Sequence, residues 1–233
     1  MKFGKNQSVI NLHKKINEDR YTKHEPILLE INNSLFKDGI LKKEFYQHFQ
    51  NNYSDLSFFV QTLRSAYTKE YGFFLVNEKF LDTSKELLQN KNVLEVGAGT
   101  GFLSKCLLEQ QINITPIDLK VNNNLYGFEN KYCDILEIDA IKYLKNNFGK
   151  HDTIIMSWPN YDNDFAKNVL KQLKSGQTLI YIGESYGGCT ANDKFFELLE
   201  SKAILDLPTT EAFQSGSVSW PGIHDKVYAY KIK

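Results

Sequence analysis

Val93-Leu94-Glu95-Val96-Gly97-Ala98-Gly99-Thr100-Gly101-Phe102 carries an apolar strand pattern into three glycines at alternate positions, then into the helical pattern of Phe102–Gln111. Glycine at such a turn lets the backbone bend sharply and approach a ligand, and the helix behind it offers unpaired N–H groups. The spacing differs from the dinucleotide fingerprint Gly-x-Gly-x-x-Gly, which would set its third glycine where Phe102 stands. Glu95 adds a second discriminator. A carboxylate at the buried mouth of a strand repels pyrophosphate and asks for a cationic partner such as an ammonium group.

Downstream of this turn, Ile114–Asp118, Ile135–Asp139, Thr153–Ser157 and Thr178–Ile182 read as strands, with helical stretches at Asp164–Leu173 and Asn192–Ser201. Thr190-Ala191-Asn192-Asp193 supplies a helix start, and the Asn-rich stretch Val121–Lys131 reads as loop. Strands alternating with helices predict a doubly wound α/β fold on a parallel sheet. Ser217–Trp220, Pro221-Gly222 and the alternating Val227–Ile232 predict a hairpin-like antiparallel edge. Upstream, the apolar spacing from Ile10 to Leu88 is helical, running through Leu28-Leu29, Ile31, Leu56 and Leu63, and it is rich in rings. Leu41, Phe45, Phe49 and Tyr53, at intervals of four, are expected on one helical face. That face is either the packing surface of a helical cap or the roof of a ligand cavity. The expected division is a helical N-terminal cap over residues 1–90 and a ligand-binding α/β domain over 91–233.

The 233 residues hold 28 Lys and Arg against 28 Asp and Glu, and 42% are hydrophobic, which excludes a disordered chain. Zero net charge, with Arg20 and Arg64 the only arginines, argues against a nucleic-acid partner, whose affinity is mostly phosphate neutralisation. The three cysteines, Cys106, Cys133 and Cys189, have neither disulfide nor metal spacing. Free thiols, an N-terminus without an apolar leader core and no run of 18 apolar residues predict a cytoplasmic protein with no membrane partner and no metal.

The run Glu95-Val96-Gly97-Ala98-Gly99-Thr100-Gly101 resembles motif I of the class I S-adenosylmethionine-dependent methyltransferases. The resemblance continues in order: Asp118 ends the second strand, Asp139-Ala140 ends the third, and Asp152–Ser157 forms the fourth. It implies a Rossmann-like, seven-stranded methyltransferase sheet and S-adenosyl-L-methionine as cofactor. By the same resemblance Glu95 and the backbone of Gly97, Gly99 and Gly101 hold the methionine moiety. Asp118 takes the ribose hydroxyls, and Asp139 with Ala140 faces the adenine amino group.

Ligands of open α/β sheets bind beyond the carboxyl ends of the strands, which nominates three further segments. Ser157-Trp158-Pro159-Asn160-Tyr161 is similar to the polar-Pro-Pro-aromatic motif of amino-group methyltransferases, with Ser157 orienting an amine and Tyr161 stacking on it; Trp158 and Asn160 depart from that pattern. Glu184 closely follows the fifth strand and could accept a proton. His224, just before the last strand, is better placed for catalysis than His13, His24, His48 or His151, and its ordinary pKa suits a base near neutrality. Cys189 has no basic neighbour in sequence to make it a nucleophile. The expected function is methyl transfer to a small-molecule acceptor at an amine nitrogen. A catalytically silent binding protein on the same fold and a methyltransferase of a protein acceptor are the alternatives.

Overall fold

A computed structural model describes residues 34–46, 57–120 and 130–233. Leu28, Leu29, Ile31, Phe49, Tyr53, Leu56, His13, His24, His48 and positions 121–129 of the Asn-rich stretch lie outside the described residues. Seven strands form one sheet: β1 Asn92–Val96, β2 Asn113–Asp118, β3 Leu136–Glu137, β4 Thr153–Ser157, β5 Thr178–Gly183, β6 Ala203–Leu205 and β7 Lys226–Ile232. Their order is β3-β2-β1-β4-β5-β7-β6, all parallel except β7, which runs antiparallel to β5 and β6. The expected doubly wound α/β architecture is present, and strands β1 and β4 match their sequence ranges residue for residue.

Helices α1 Ser57–Tyr71, α2 Glu78–Leu88, α3 Phe102–Glu109, α4 Ala140–Asn146, α5 Phe165–Gln172, α6 Asp193–Lys202 and α7 Leu207–Gly216 accompany the sheet. Alternate strand residues point to opposite faces, so each strand feeds two cores. Leu94, Val96, Ile154, Met156, Leu179 and Tyr181 pack against α4, α5 and α6 through Tyr143, Val169 and Phe195. Val93, Ile114, Ile155, Ile180 and Ile182 pack against α2, α3 and α7 through Phe80, Leu107 and Phe213. Central strands buried on both faces carry no polar alternation, which is why they read as continuous apolar runs.

Three expectations need correction. The last strand is antiparallel but not at the edge, because the three-residue β6 pairs with its outer side. Ser217–Trp220 is not a strand; Val218 and Trp220 are buried against Phe36, Leu41, Leu63 and Tyr67 of the N-terminal region. Finally, Leu41 does not share a helical face with Phe45. Phe36–Lys37 and Ile40–Leu41 form a two-stranded hairpin around Asp38-Gly39, both at positive φ (51° and 81°), and Phe45 falls in a 3-10 turn over Lys43–Phe45. Asp-Gly is the turn pair that a two-residue hairpin demands. The aromatic run divides by depth: Tyr67 and Phe74 are buried, while Tyr71 and Phe73 are half-buried.

Candidate functional site

The chain between β1 and α3 turns on Gly97, Gly99 and Gly101, at φ 72°, 57° and 73°. This left-handed region is open to glycine and strained for side chains. A Cβ on Gly101 would lie 2.7 Å from Cys133 Sγ, so the loop also needs glycine for space. Gly97 N–H and Ala98 N–H donate to the Ile117 carbonyl, at 2.9 and 3.1 Å. One step further, Gly99 N–H donates to Asp118 Oδ2 (2.9 Å), and Lys120 N–H donates to Asp118 Oδ1 (3.1 Å). Asp118 therefore fixes the loop from the end of β2. Each carboxylate oxygen keeps a further lone pair for a ligand hydroxyl.

Glu95 is 2% exposed, and its carboxylate accepts a hydrogen bond from the hydroxyl of Ser104 on α3. Burial pushes its carboxyl up to about 7, against a smaller opposing pull from the Ser104 bond and with a further push from the charge on Asp118. Burial thus favours its neutral form, and a cation beside it would tip it towards the carboxylate. Asp139 follows the short β3 and caps α4: its Oδ1 accepts from Lys142 N–H at 2.8 Å. The expected strand end at Asp139 is thus a helix start, which leaves its second oxygen free of any described helix N–H.

Gly101, which packs towards Cys133 and Ile135, does not border the cavity; the other expected donor-side residues share one cavity of about 330 Å³ at the carboxyl edge of β1, β2 and β4. Glu95, Gly97, Gly99, Asp118, Asp139 and Ala140 line one part, and Ser157 ends β4 at the other. The same cavity is lined by the rings of Tyr71, Phe73, Trp158 and Phe165 and by the uncharged Asn160 and Asn163, with Phe165 lying against Gly97. Trp158 takes φ +49°, and Phe73 stacks on its ring at 5.3 Å and 16°.

The other expected catalytic residues do not line this cavity. Tyr161 is exposed at 48%. The Glu184 carboxylate accepts from Cys189 N–H (2.8 Å) and His224 N–H (3.1 Å). Burial raises the Glu184 carboxyl, but those two N–H groups outweigh it and hold it below its ordinary value. His224 lines a second cavity of about 410 Å³ with Trp220, Asp225, Lys226 and Tyr228. His151, buried beside the Tyr143 hydroxyl, stands before β4, at the opposite strand end.

Sequence reasoning missed Ser104, Thr100 and the pairing of Phe73 and Asp225 with Trp158. Thr100 Oγ1 donates to the Tyr71 carbonyl at 2.5 Å, tying the glycine loop to the end of α1. Ser104 had a readable signal: it falls on the inner face of α3, one helical turn past the loop and opposite Glu95. Phe73 and Asp225 had none, since their partner Trp158 is distant in sequence.

No family model matches the chain. Over 119 residues it is 32% identical to the ribosomal RNA small subunit methyltransferase A of Malacoplasma penetrans, covering 47% of this chain and 43% of that protein. The chain thus spans less than half the length of the curated relative it matches. The strand order, with its single antiparallel strand between β5 and β6, decides the architecture. The chain has a Rossmann-like, doubly wound α/β fold. Solved structures similar to it include a SAM-dependent methyltransferase from Archaeoglobus fulgidus, with 12% identity, TM-score 0.42, and 66% of this chain and 95% of that one covered. Another is the mitomycin 7-O-methyltransferase MmcR, with 14% identity, TM-score 0.44, and 81% and 60% covered. No described helix of this chain is long and apolar enough to cross a membrane.

Proposed function

We propose that this chain is an S-adenosylmethionine-dependent methyltransferase acting on a small-molecule acceptor, with an amine nitrogen as the methylated atom. The observation that carries the reading is the joint cavity of Glu95, the glycine loop, Asp118 and Asp139, continuous with an aromatic wall at the end of β4. The 32% identity to a curated methyltransferase supports the activity. When bound, S-adenosylmethionine supplies an already activated sulfonium methyl group. Asp118 would accept from ribose hydroxyls and Asp139 from the adenine amino group. Glu95 and the loop would face the cationic end, where the ionised Glu95 offsets the ligand's charge. Ser157 and the carbonyls following it would orient the acceptor nitrogen, and the rings of Phe73 and Trp158 would exclude water. The segment before α2 acts in this reading as a cap, supported by the place of Tyr71–Phe74 in the cavity wall, whereas α2 belongs to the helical layer on the sheet. Positioning and desolvation are then the main source of rate, with removal of one proton where the acceptor needs it.

Isothermal titration with S-adenosylhomocysteine tests the donor half: micromolar binding is expected, and no heat at high micromolar ligand would sink the proposal. The curated relative's name favours a second acceptor class, RNA. Transfer of a radiolabelled methyl group separates the two. Label in a low-molecular-weight metabolite fraction is expected, and label in ribosomal RNA would replace the small-molecule assignment.

A further inference from the structure

Trp158 stands where the chain leaves β4 for the cavity wall, and its conformation is a costly one. A bulky residue at φ +49° is strained and persists only where its surroundings determine it. Four groups do so here. Trp158 N–H donates to the Ile182 carbonyl at 2.7 Å, fixing the backbone to β5. Phe73 stacks on the ring, and the Arg64 guanidinium carbon lies 5.6 Å from the ring centre. The indole Nε1–H donates to Asp225 Oδ2 at 2.9 Å, across 67 positions of sequence. Asp225 is 5% exposed, and burial raises its carboxyl.

Asp225 lines the second cavity and not the first, whereas Trp158 lines the first and not the second. Their hydrogen bond therefore spans the partition between the two spaces.

We propose that Asp225 is a positioning residue, whose buried carboxylate holds the Trp158 indole in place and so fixes the acceptor-side wall of the donor cavity. The proposal rests on the methyltransferase reading for what the cavity binds, but the link between Asp225 and Trp158 does not. The sequence holds two tryptophans, so the indole N–H region of a ¹⁵N–¹H spectrum has two signals, and Trp158→Phe identifies which is Trp158. In the full chain, Asp225→Ala should move the Trp158 indole signal out of its hydrogen-bonded position. It should also weaken S-adenosylhomocysteine binding about tenfold, the factor carried by one charge-assisted hydrogen bond. Asp225→Asn keeps an acceptor oxygen in the same place and should restore affinity to within about threefold of wild type, on the scale of a neutral hydrogen bond.

An unmoved indole signal with wild-type affinity in Asp225→Ala would overturn the proposal. So would equal losses in Asp225→Asn and Asp225→Ala, because charge rather than the hydrogen bond would then matter. If Asp225→Ala fails to fold, Trp158→Phe and Asp225→Asn decide. The Phe variant keeps a ring but lacks the N–H donor, and it should bind less tightly than Asp225→Asn; the reverse order overturns the assignment. If the wild-type chain does not bind S-adenosylhomocysteine, the donor reading fails, and the indole shift alone still decides whether Asp225 positions Trp158.

Discussion

Along the carboxyl edge of the sheet, the ends of β1, β2 and β3 bring Glu95, Asp118 and Asp139 to the cavity, with side-chain hydrogen bonds made mostly to the adjoining loop and helices. The wall at the end of β4 is held differently. Its ring, Trp158, depends on Arg64 and Phe73 from the N-terminal region and on Asp225 from the far end of the chain. The first half is charged and locally determined; the second is aromatic and determined by tertiary packing. Damage should therefore stay local in the glycine half and spread from distant positions in the aromatic half.

The largest effect is expected at the loop itself. Gly99→Val puts a β-branched residue at φ +57°, at a cost of ~1–2 kcal/mol for the left-handed backbone. It also fills the space a ligand's backbone contacts need. Binding of S-adenosylhomocysteine should become undetectable by titration calorimetry while circular dichroism and a cooperative melt persist. Retained binding would show that the ligand does not approach the loop.

Glu95 should give the next largest effect, read as pH dependence. Its carboxyl titrates near 7 in the folded chain against an ordinary value of 4.5. Between those values the folded state holds the extra proton, so this group's stabilisation is complete below 4.5 and is lost as pH rises towards 7. The difference amounts to about 3 kcal/mol, at ~1.4 kcal/mol for each pH unit. Glu95→Gln should flatten this part of the stability profile in urea titrations at pH 5 and pH 7.5. A cationic ligand should also displace the proton. Binding heats near pH 6.5, measured in buffers of different ionisation enthalpy, should show proton release in wild type and not in Glu95→Gln.

Asp118→Ala follows, with an expected loss of about 1–3 kcal/mol in donor-product affinity, since it removes the acceptor for ligand hydroxyls and releases Gly99 N–H and Lys120 N–H. Unchanged affinity would place the hydroxyls elsewhere and leave Asp118 as a loop tether alone.

The glycine half was readable because its interactions lie within the period of one strand, one turn and one helix. Glu95, Asp118 and Asp139 could each be assigned to a strand end from spacing alone, although Asp139 turned out to cap a helix. The hairpin at Asp38-Gly39 carried an equally local signal, but Leu41 and Phe45 four apart pointed to a helix and masked it. β6 has three residues, too few for any period to show, so β7 was misplaced at the edge. The Trp158 partners had no local signal at all. The buried Asp225 comes to Trp158 when the antiparallel β7 brings the chain before it back to the ends of β4 and β5, and Phe73 comes to it from the end of α1.

The smallest effect is expected where the two halves separate most sharply. Sequence position made His224 the preferred base, and Gly183 pairing with Lys226 does set the start of β7 at the same sheet edge as the end of β5. Yet the hydrogen bond from His224 to Glu184 is made by its backbone N–H, which any residue supplies, and the imidazole adds only a smaller charge effect on that carboxylate. The imidazole belongs to the cavity behind the Trp158–Asp225 partition. His224→Ala should therefore leave S-adenosylhomocysteine affinity within about twofold and stability within ~0.5 kcal/mol, the range of substitutions away from specific features. Turnover per folded molecule should also hold within about threefold, well short of the ~10²–10⁴ that a general base contributes. Tyr161→Ala, at an exposed position, should behave the same way. A large turnover loss in His224→Ala with donor affinity intact would reverse the comparison: the acceptor would then react from the second cavity, and the Trp158–Asp225 partition would have to open in each cycle.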